Sequence, residues 1–261
     1  MKKLPVDTSV VDISIVIPTY NEANTIAEVI EQISLNFKDS GTPLEFIVVD
    51  DSSTDNTVKA AESLKEKCNV KVIVRKNERG LATAVIRGFR EASGRLFAVI
   101  DGDMQHPPDV IPRLFRHLTE HNADMAVASR KVAGGGTSNW EYHRAVISTA
   151  ATVIAKLFLP ITLRNIRDAT TGCFIFKREC VDLSKLSPLG FKIFLEVLAR
   201  GKFGKTVEVP YIFNQRSKGV SKMTFKQDAL FLLHLMKIGA HTGELIVPVG
   251  IAAAAAFLLV R

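Results

Sequence analysis

The stretch LFAVIDGDMQHPPDV, residues 96–110, decides the fold because acidic residues follow a strand-like apolar run and precede a helix-like segment. Leu96 to Ile100 are apolar, as in a strand buried on both faces. Asp101, Asp103 and Gln105 follow at alternate positions, and in an extended chain side chains two apart share a face. The stretch predicts an oxygen cluster for a cation, while a solvated turn with a helix cap is the alternative that so short a motif leaves open.

The composition is that of a globular protein, and the length suggests either one large domain or a domain with an appendage. The 261 residues can bury a sizeable core, and 47% of them are hydrophobic and 23% charged. The three cysteines, Cys68, Cys173 and Cys180, form no CxxC pair, which favours a reducing compartment. Residues 1–12 contain two lysines but no following apolar run, so we expect no secretory signal and a cytoplasmic catalytic domain.

The positive charge is concentrated near the C-terminus. The net charge is +7, and residues 200–261 contain nine Lys or Arg against Glu208, Asp228 and Glu244. Such a bias suits an anionic partner, namely membrane headgroups, phosphorylated ligands or nucleic acid. Nucleic acid ranks last, because the basic residues lack the interleaved aromatic side chains on which bases stack.

The first half of the chain alternates strand-like and helix-like segments. The expected strands are 13–17, 44–49, 70–74, 96–100 and 125–128, and the expected helices are 26–37, 55–67, 81–92 and 110–121. Thr54 is a candidate N-cap for the second helix, and Gly94 is expected to close the third. Repeated βα units predict an α/β fold with a mainly parallel, doubly wound sheet flanked by helices.

Polar clusters follow three of these strands at their carboxyl ends, where open α/β sheets bind ligands. They are residues 18–22, 50–53 and 101–103. Neither a GxGxxG fingerprint after the first strand nor a GxxxxGK[ST] phosphate loop occurs in the sequence. Bound phosphates would therefore have to be held by a metal ion and by basic side chains.

The second half contains candidate membrane-surface segments. Residues 140–160 form a helix with few charges, which is either core or an interface helix with Trp140 and Tyr142 at headgroup level. Strand-like runs at 170–176 and 207–213 precede a basic loop at 216–222. An amphipathic interface helix is expected at 225–240. The uncharged segment 245–260 spans about 24 Å, short of the roughly 30 Å hydrocarbon core, so it is either membrane-inserted or a docking helix.

Four ordered blocks carry a family resemblance: ISIVIPTYNEANTI, FIVVDDSSTDNT, ERGLATAVIRGFREASG and VIDGDMQHPPDVIPRL. Together they resemble the inverting GT-A glycosyltransferases of family two, and more narrowly the dolichol- or polyprenol-phosphate mannose synthases. The segment GGGTSNWEYHRAVISTAATVIAKLFLP, the strand TTGCFIFKRE and the loop QRSKGVSKM extend the match over residues 12–241. The resemblance implies a GT-A catalytic domain at 1–223, with an acceptor loop and interface helix at 134–165, and an interface helix plus membrane segment at 224–261.

The resemblance also implies site residues. The base and ribose pocket corresponds to Pro18, Tyr20, Glu22, Val49 and Asp51. The metal and pyrophosphate site corresponds to Asp101, Asp103 and Gln105, lined by Ile100 and Gly102, and the phosphate-binding residues to Arg130, Arg216 and Lys222. Asp101, Asp103 and Arg130 are the residues expected to be catalytic.

The implied reaction is inverting transfer of mannose from GDP-mannose to dolichyl or polyprenyl phosphate at the cytoplasmic membrane face, with Mg²⁺ or Mn²⁺. A phosphate acceptor has a second pKa near 6, so it needs no obligatory general base. UDP-glucose is the alternative donor, and nucleotidyl transfer and a non-enzymatic membrane sensor of nucleotide sugars are rival functions.

Four further residues have open roles. His106 is either structural or a metal or substrate contact, and His143 and Arg144 either meet acceptor phosphate or start an exposed helix. Asp168 either approaches the sugar or is a loop carboxylate. Cys173 is expected to be packing.

Overall fold

The computed structural model describes residues 11–138, 142–215 and 225–245, with the backbone alone at 142–145, 225–226 and 228. A seven-stranded sheet of order β3-β2-β1-β4-β7-β5-β8 forms its centre. These strands are β1 Ile13–Thr19, β2 Leu44–Asp50, β3 Val70–Val74, β4 Leu96–Val99, β5 Met125–Ser129, β7 Phe174–Lys177 and β8 Thr206–Pro210. The short strands β6 Gly136–Thr137 and β9 Ile212–Phe213 pair separately in parallel.

Helices cover both faces of the sheet. They are α1 Ile26–Asn36, α2 Thr57–Glu62, α3 Leu81–Glu91, α4 Val110–Glu120, α5 Tyr142–Phe158, α6 Ile193–Arg200 and α7 Phe225–Thr242. Buried residues of α1, α2 and α4 form one core cluster with the sheet, and those of α3, α5, α6 and α7 form the other. Successive strand residues face opposite layers, so Ile15 and Ile17 join the first cluster and Val16 the second. The predicted α/β fold is confirmed.

Two topological features determine where the site lies. The chain builds β1, β2 and β3 outward in one direction and then places β4 on the other side of β1, so the strand order reverses between β1 and β4. β7 is antiparallel to both β4 and β5, whereas all other neighbours in this sheet are parallel. The residues before β7 therefore lie at the same edge as the residues after β1, β2, β4 and β5.

Local boundaries differ from expectation around the second and third helices. α2 covers only 57–62, and Asn56 rather than Thr54 occupies its N-cap position. The amide of Thr54 instead donates to Asn21 Oδ1 at 2.8 Å, which joins the loops after β1 and β2. Gly94 does not close α3, which ends at Glu91; its amide donates to Ser14 Oγ at 2.7 Å, and a Cβ there would lie 2.7 Å from the amide nitrogen of Ser14. Close backbone approach explains this glycine.

The two helices expected at a membrane surface are present. The buried apolar residues Phe231, Leu235 and Ile238 of α7 join the same core cluster as Ala155 of α5. Among the helices of the described residues, none is both long and apolar enough to cross a bilayer. The segment proposed for membrane insertion, 245–260, lies outside the described residues except for Leu245.

Candidate active site

The loops after β1, β2 and β4 meet where the strand order reverses. Thr25 Oγ1 donates to the carbonyl oxygen of Gly102 at 2.6 Å, which ties the loop after β1 to the loop after β4. The amide of Asp51 donates to the carbonyl oxygen of Thr19 at 3.0 Å, which joins the ends of β1 and β2. The three loops therefore meet at the edge of the sheet where open α/β sheets bind ligands.

The three predicted metal ligands lie in a turn. β4 ends at Val99, and Met104 has a φ of 63°, so the chain is not extended from Asp101 to Gln105 and the argument from strand alternation does not apply. Asp103 is 4% exposed, and its Oδ1 accepts a hydrogen bond from the amide of Gln105 at 3.1 Å. The side chain of Asp101 is 28% exposed. The turn holds one buried and one more accessible carboxylate at the rim.

Both carboxylates act on buried His106. Its Nδ1 lies 3.5 Å from Asp101 Oδ2, and the charge of Asp103 favours its protonated form. Burial outweighs these carboxylates and lowers the pKa of His106 to about 4, so the ring is neutral at pH 7. The ring stacks on Tyr211 with centroids 5.4 Å apart and meets the edge of Phe213 at 5.1 Å. This packing favours the structural interpretation of His106.

Gly172, just before β7, lies directly beside the side chains of Asp101 and His106. A Cβ at Gly172 would lie 3.2 Å from Asp101 Oδ2 and 3.4 Å from His106 Cε1. These distances are tighter than most Cβ contacts, so a side chain at residue 172 would displace Asp101 or His106 by a few tenths of an ångström. The reversed direction of β7 thus gives the acidic turn its packing surface.

The oxygen donors at this turn fit a hard divalent cation. Two carboxylates and one amide oxygen from Asp101, Asp103 and Gln105 match the preference of Mg²⁺ and Mn²⁺ for oxygen ligands. Over the part of the chain that the structure describes, no group of three or more His, Cys, Asp or Glu could hold a metal by itself. Two carboxylates suit an ion whose other ligands are substrate phosphates and water.

The residues expected around the nucleotide base lie in or directly after the carboxyl ends of β1 and β2. Pro18 pairs in register with Val49, and Tyr20 and Glu22 follow β1 at partly exposed positions. Val49 and Ile100 are fully buried, so their side chains belong to the core and only their backbone is available to a ligand.

Asp51 is held in place by an arginine that the sequence interpretation missed. Nε of Arg75 donates to Asp51 Oδ1 at 2.7 Å, and the amide of Gly80 donates to Asp51 Oδ2 at 2.8 Å. Arg75 is 6% exposed and also donates to Thr83 Oγ1 at 2.8 Å. Its place one residue after β3 was the available signal, since ligand sites collect at the carboxyl ends of such strands.

Arg130 is fixed by Asp168 in a bidentate pair. Nε and one terminal nitrogen of Arg130 donate to the two carboxylate oxygens of Asp168, each at 2.7 Å, and the same terminal nitrogen donates to Thr170 Oγ1 at 2.7 Å. Asp168 is fully buried. Burial alone would raise its pKa, but the hydrogen bonds and charge of Arg130 outweigh burial and hold the pKa at about 2. Asp168 is therefore an ionised positioning partner of Arg130.

Lys192 is a further cation at this rim that the sequence interpretation missed. Its Nζ donates to the carbonyl oxygen of Thr170 at 3.0 Å, and Arg130, Asp168 and Asp101 all act on its charge. Burial, reinforced by the positive charge of Arg130, lowers the pKa of Lys192 to about 8. No spacing in the sequence marks Lys192, because a helix start after a loop is an ordinary position for a lysine.

Several predicted residues cannot be placed. Arg216 and Lys222 lie outside the described residues, as do the side chains of His143 and Arg144. The described chain before the basic loop does reach the rim, since the amide of Asn214 donates to the carbonyl oxygen of Gln105 at 2.8 Å.

The fold is an open α/β sheet whose candidate site lies where the strand order reverses. Residues 14–183 match the model of glycosyl transferase family 2, so the chain belongs to that family and is a glycosyltransferase. A dolichol-phosphate mannosyltransferase from Pyrococcus furiosus is 42% identical over 233 residues, which is 89% of this chain and 65% of that protein. The yeast dolichol-phosphate mannosyltransferase is 32% identical over 247 residues, 88% of this chain and 90% of the yeast protein. A polyprenol monophosphomannose synthase from Mycolicibacterium smegmatis is 32% identical over 220 residues, 80% of each chain.

Solved structures confirm the GT-A-like fold. Glucosyl-3-phosphoglycerate synthase from Mycobacterium tuberculosis, crystallised with Mn²⁺, UDP-glucose and phosphoglyceric acid, superposes with a TM-score of 0.64 at 20% identity. That alignment covers 89% of this chain and 81% of the synthase. The same synthase with Mg²⁺ and UDP gives a TM-score of 0.64 at 21% identity over the same shares of the two chains.

Proposed function

We propose that the protein transfers a mannosyl residue from GDP-mannose to dolichyl or polyprenyl phosphate, with inversion, at the cytoplasmic face of a membrane. The observation that carries the proposal is the convergence of Asp101 and Asp103 with the cations Arg130 and Lys192 at one rim. This combination suits a metal-bound diphosphate donor and a second anion beside it. The relatives named above as dolichol-phosphate mannosyltransferases and polyprenol monophosphomannose synthase support the choice of sugar and acceptor.

Asp101, Asp103 and Gln105 would hold the Mg²⁺ or Mn²⁺ ion. When bound, the ion would neutralise charge on the departing GDP. Arg130 presents a planar guanidinium already oriented by Asp168, so little side-chain freedom is lost when it meets a phosphate. Lys192 supplies a compact second charge.

The acceptor phosphate needs no general base in this mechanism. A phosphate monoester is largely a dianion at neutral pH, because its second pKa is near 6. The buried imidazole of His106, with a pKa of about 4, is a weak base at that pH. The role left for the protein is to bring two anions together, and Arg130 and Lys192 fit it.

Membrane association is supported by an apolar surface on α5 and α7. Its members are exposed aliphatic or methionine side chains: Val146, Ile147, Val153, Leu157, Leu232, Leu233 and Met236. Exposed apolar side chains on two helices that pack together are typical of helices that lie in the headgroup region. Glu244 fixes the end of α7 to the turn after α5, since its Oε2 accepts from the amides of Ile161 at 2.6 Å and Thr162 at 3.0 Å. We also propose that the catalytic domain covers residues 1–223 and that the interface helix and membrane segment cover residues 224–261.

The deciding experiment incubates the purified protein with polyprenyl phosphate and labelled GDP-mannose or UDP-glucose, then extracts the glycolipid. We expect mannosyl lipid and GDP, both dependent on a divalent cation. Preference for UDP-glucose would change the donor, and release of pyrophosphate would indicate nucleotidyl transfer. Donor binding without turnover would indicate a sensor.

Asp103→Asn tests the carboxylate itself, because Asn preserves the shape and the acceptor oxygen for the Gln105 amide. We expect at least about a 100-fold loss of transfer, the equivalent of about 3 kcal/mol of transition-state stabilisation. Asp109→Asn is the matched control, since Asp109 is on the same segment and its side chain is 51% exposed. Equal activity of the two variants would contradict the metal site.

A further inference from the structure

Lys192 lies between two residues to which side chains of helix α7 form hydrogen bonds. The first is Ser187, five residues before Lys192, and the second is Glu196, one helical turn after it. Lys192 itself occupies the N-cap position of α6, with its Nζ at the rim of the site. Any shift of α6 along or about its axis therefore moves the ammonium group.

The contact with Glu196 is a buried ion-and-hydrogen-bond cluster. Glu196 and His234 of α7 are both fully buried, and His234 Nε2 lies 2.8 Å from Glu196 Oε2. Glu196 Oε1 accepts from the amide of Ser187 at 2.7 Å and from Nε of Arg200. Burial would raise the pKa of Glu196, but these hydrogen bonds and the nearby charges lower it overall, so the carboxylate is ionised at neutral pH. An ionised carboxylate only accepts, so Nε2 carries the proton and donates.

The contact with Ser187 is made by Lys237, about one turn after His234 on α7. Lys237 Nζ donates to the carbonyl oxygen of Ser187 at 2.6 Å and to its Oγ at 2.7 Å. His234 and Lys237 are three residues apart, so they lie on the same face of α7. Leu232 and Met236, which are exposed, lie on the opposite face.

We propose that His234 is a positioning residue that, through Glu196 and α6, holds Lys192 in place for the donor phosphates. The inference rests on the proposed function and deepens it, because it makes the outward-facing helix α7 part of the donor site. A buried ionised carboxylate with three donors is costly to disturb, so the cluster defines one position of α6 relative to α7. Because Lys192 is the N-cap residue of α6, its position is fixed together with that of α6.

The test compares the KM for the donor and the Kd for GDP with Mn²⁺ in three α7 variants. His234→Phe keeps a ring but removes the donor, and we expect about a tenfold rise in both constants with kcat changed less than threefold. His234→Gln restores an N–H donor and should recover most of the affinity. Leu235→Ala is the control, since Leu235 is equally buried on α7 but makes no hydrogen bond to α6. It should lower the Tm and leave both constants within about twofold.

A double variant shows whether the effect passes through Lys192. Combining His234→Phe with Lys192→Met should weaken GDP binding no further than Lys192→Met does, because coupled residues are non-additive. Full additivity, or equal effects of His234→Phe and Leu235→Ala, would overturn the inference. If His234→Phe does not fold, Lys237→Met provides the test, with a rise of about threefold expected and no change refuting the role of α7. A wild-type protein that binds GDP but transfers no mannose would refute the proposed function and leave this binding test intact.

Discussion

Replacing Asp168 by Asn removes the charge that compensates Arg130 while preserving the size of the side chain. Asp168 is fully buried and the side chain of Arg130 is 9% exposed, so the variant leaves an unbalanced guanidinium in a largely dry site. Removing one partner of a buried pair costs about 3–5 kcal/mol. The pKa of Asp168, about 2 against 3.8, independently gives about 2 kcal/mol for protonation alone. We expect a loss of about 3–5 kcal/mol at pH 7, because Asn also keeps only one acceptor oxygen.

The assay is urea unfolding monitored by circular dichroism. This loss of stability should lower the urea concentration at the midpoint by roughly 1 to 2 M. The pKa of Asp168 is depressed in the folded state, so its stabilisation is complete above the unfolded value of 3.8 and is lost as the pH falls through about 2. The difference in free energy of unfolding between the wild type and Asp168→Asn should therefore decrease only below about pH 4.

The control for this experiment is a more exposed ion pair. Lys177 Nζ lies 2.9 Å from Asp124 Oδ1, with side chains 28% and 24% exposed. Lys177→Met should cost no more than about 1 kcal/mol. If Asp168→Asn costs no more than this control, or if its cost is the same at pH 3 and pH 7, the reasoning about a compensated Arg130 is refuted.

Three further predictions concern the rim. The kcat/KM for the donor should fall above about pH 8 as Lys192 loses its proton, and Lys192→Arg should remove that decline in a pH–rate profile, since arginine stays charged. Gly172→Ala should lower kcat by about tenfold with little change in Tm, because its Cβ would press on Asp101 at 3.2 Å; normal turnover would exclude that crowding. Arg75→Gln should raise the Kd for GDP about tenfold by releasing Asp51, which calorimetry would detect, and unchanged affinity would remove Asp51 from the base pocket.

The parallel part of the fold was predictable because its physical signals are local. Short β-branched runs such as Ile13 to Ile17, separated by amphipathic segments, require a sheet buried on both faces. The carboxyl-end rule then placed residues 18–22, 50–53 and 101–103 at one edge, as the structure shows. The contraction of α2 to 57–62 was not predictable, because Thr54 is used in a contact with Asn21 from another loop.

The rest of the site depends on contacts between distant segments. The sequence near residue 174 reads as a strand, but nothing in its residues states that β7 runs antiparallel, so the grouping of Asp168 and Gly172 with Asp101 could not be derived. Lys192 was missed for the same reason, whereas Arg75 could have been found from its place directly after β3. The partner of Lys192, Thr170, is defined by tertiary packing rather than by spacing.

The late strand β7 also constrains how the protein is made. It separates β4 from β5 in the sheet, although both precede it in the chain, so β5 has no neighbour to pair with until β7 has emerged from the ribosome. β8, the other partner of β5, is synthesised later still. A nascent chain that stops before residue 177 leaves strand edges exposed to association with other chains. Nucleotide supplied during synthesis should therefore bind only after most of the catalytic domain has been translated.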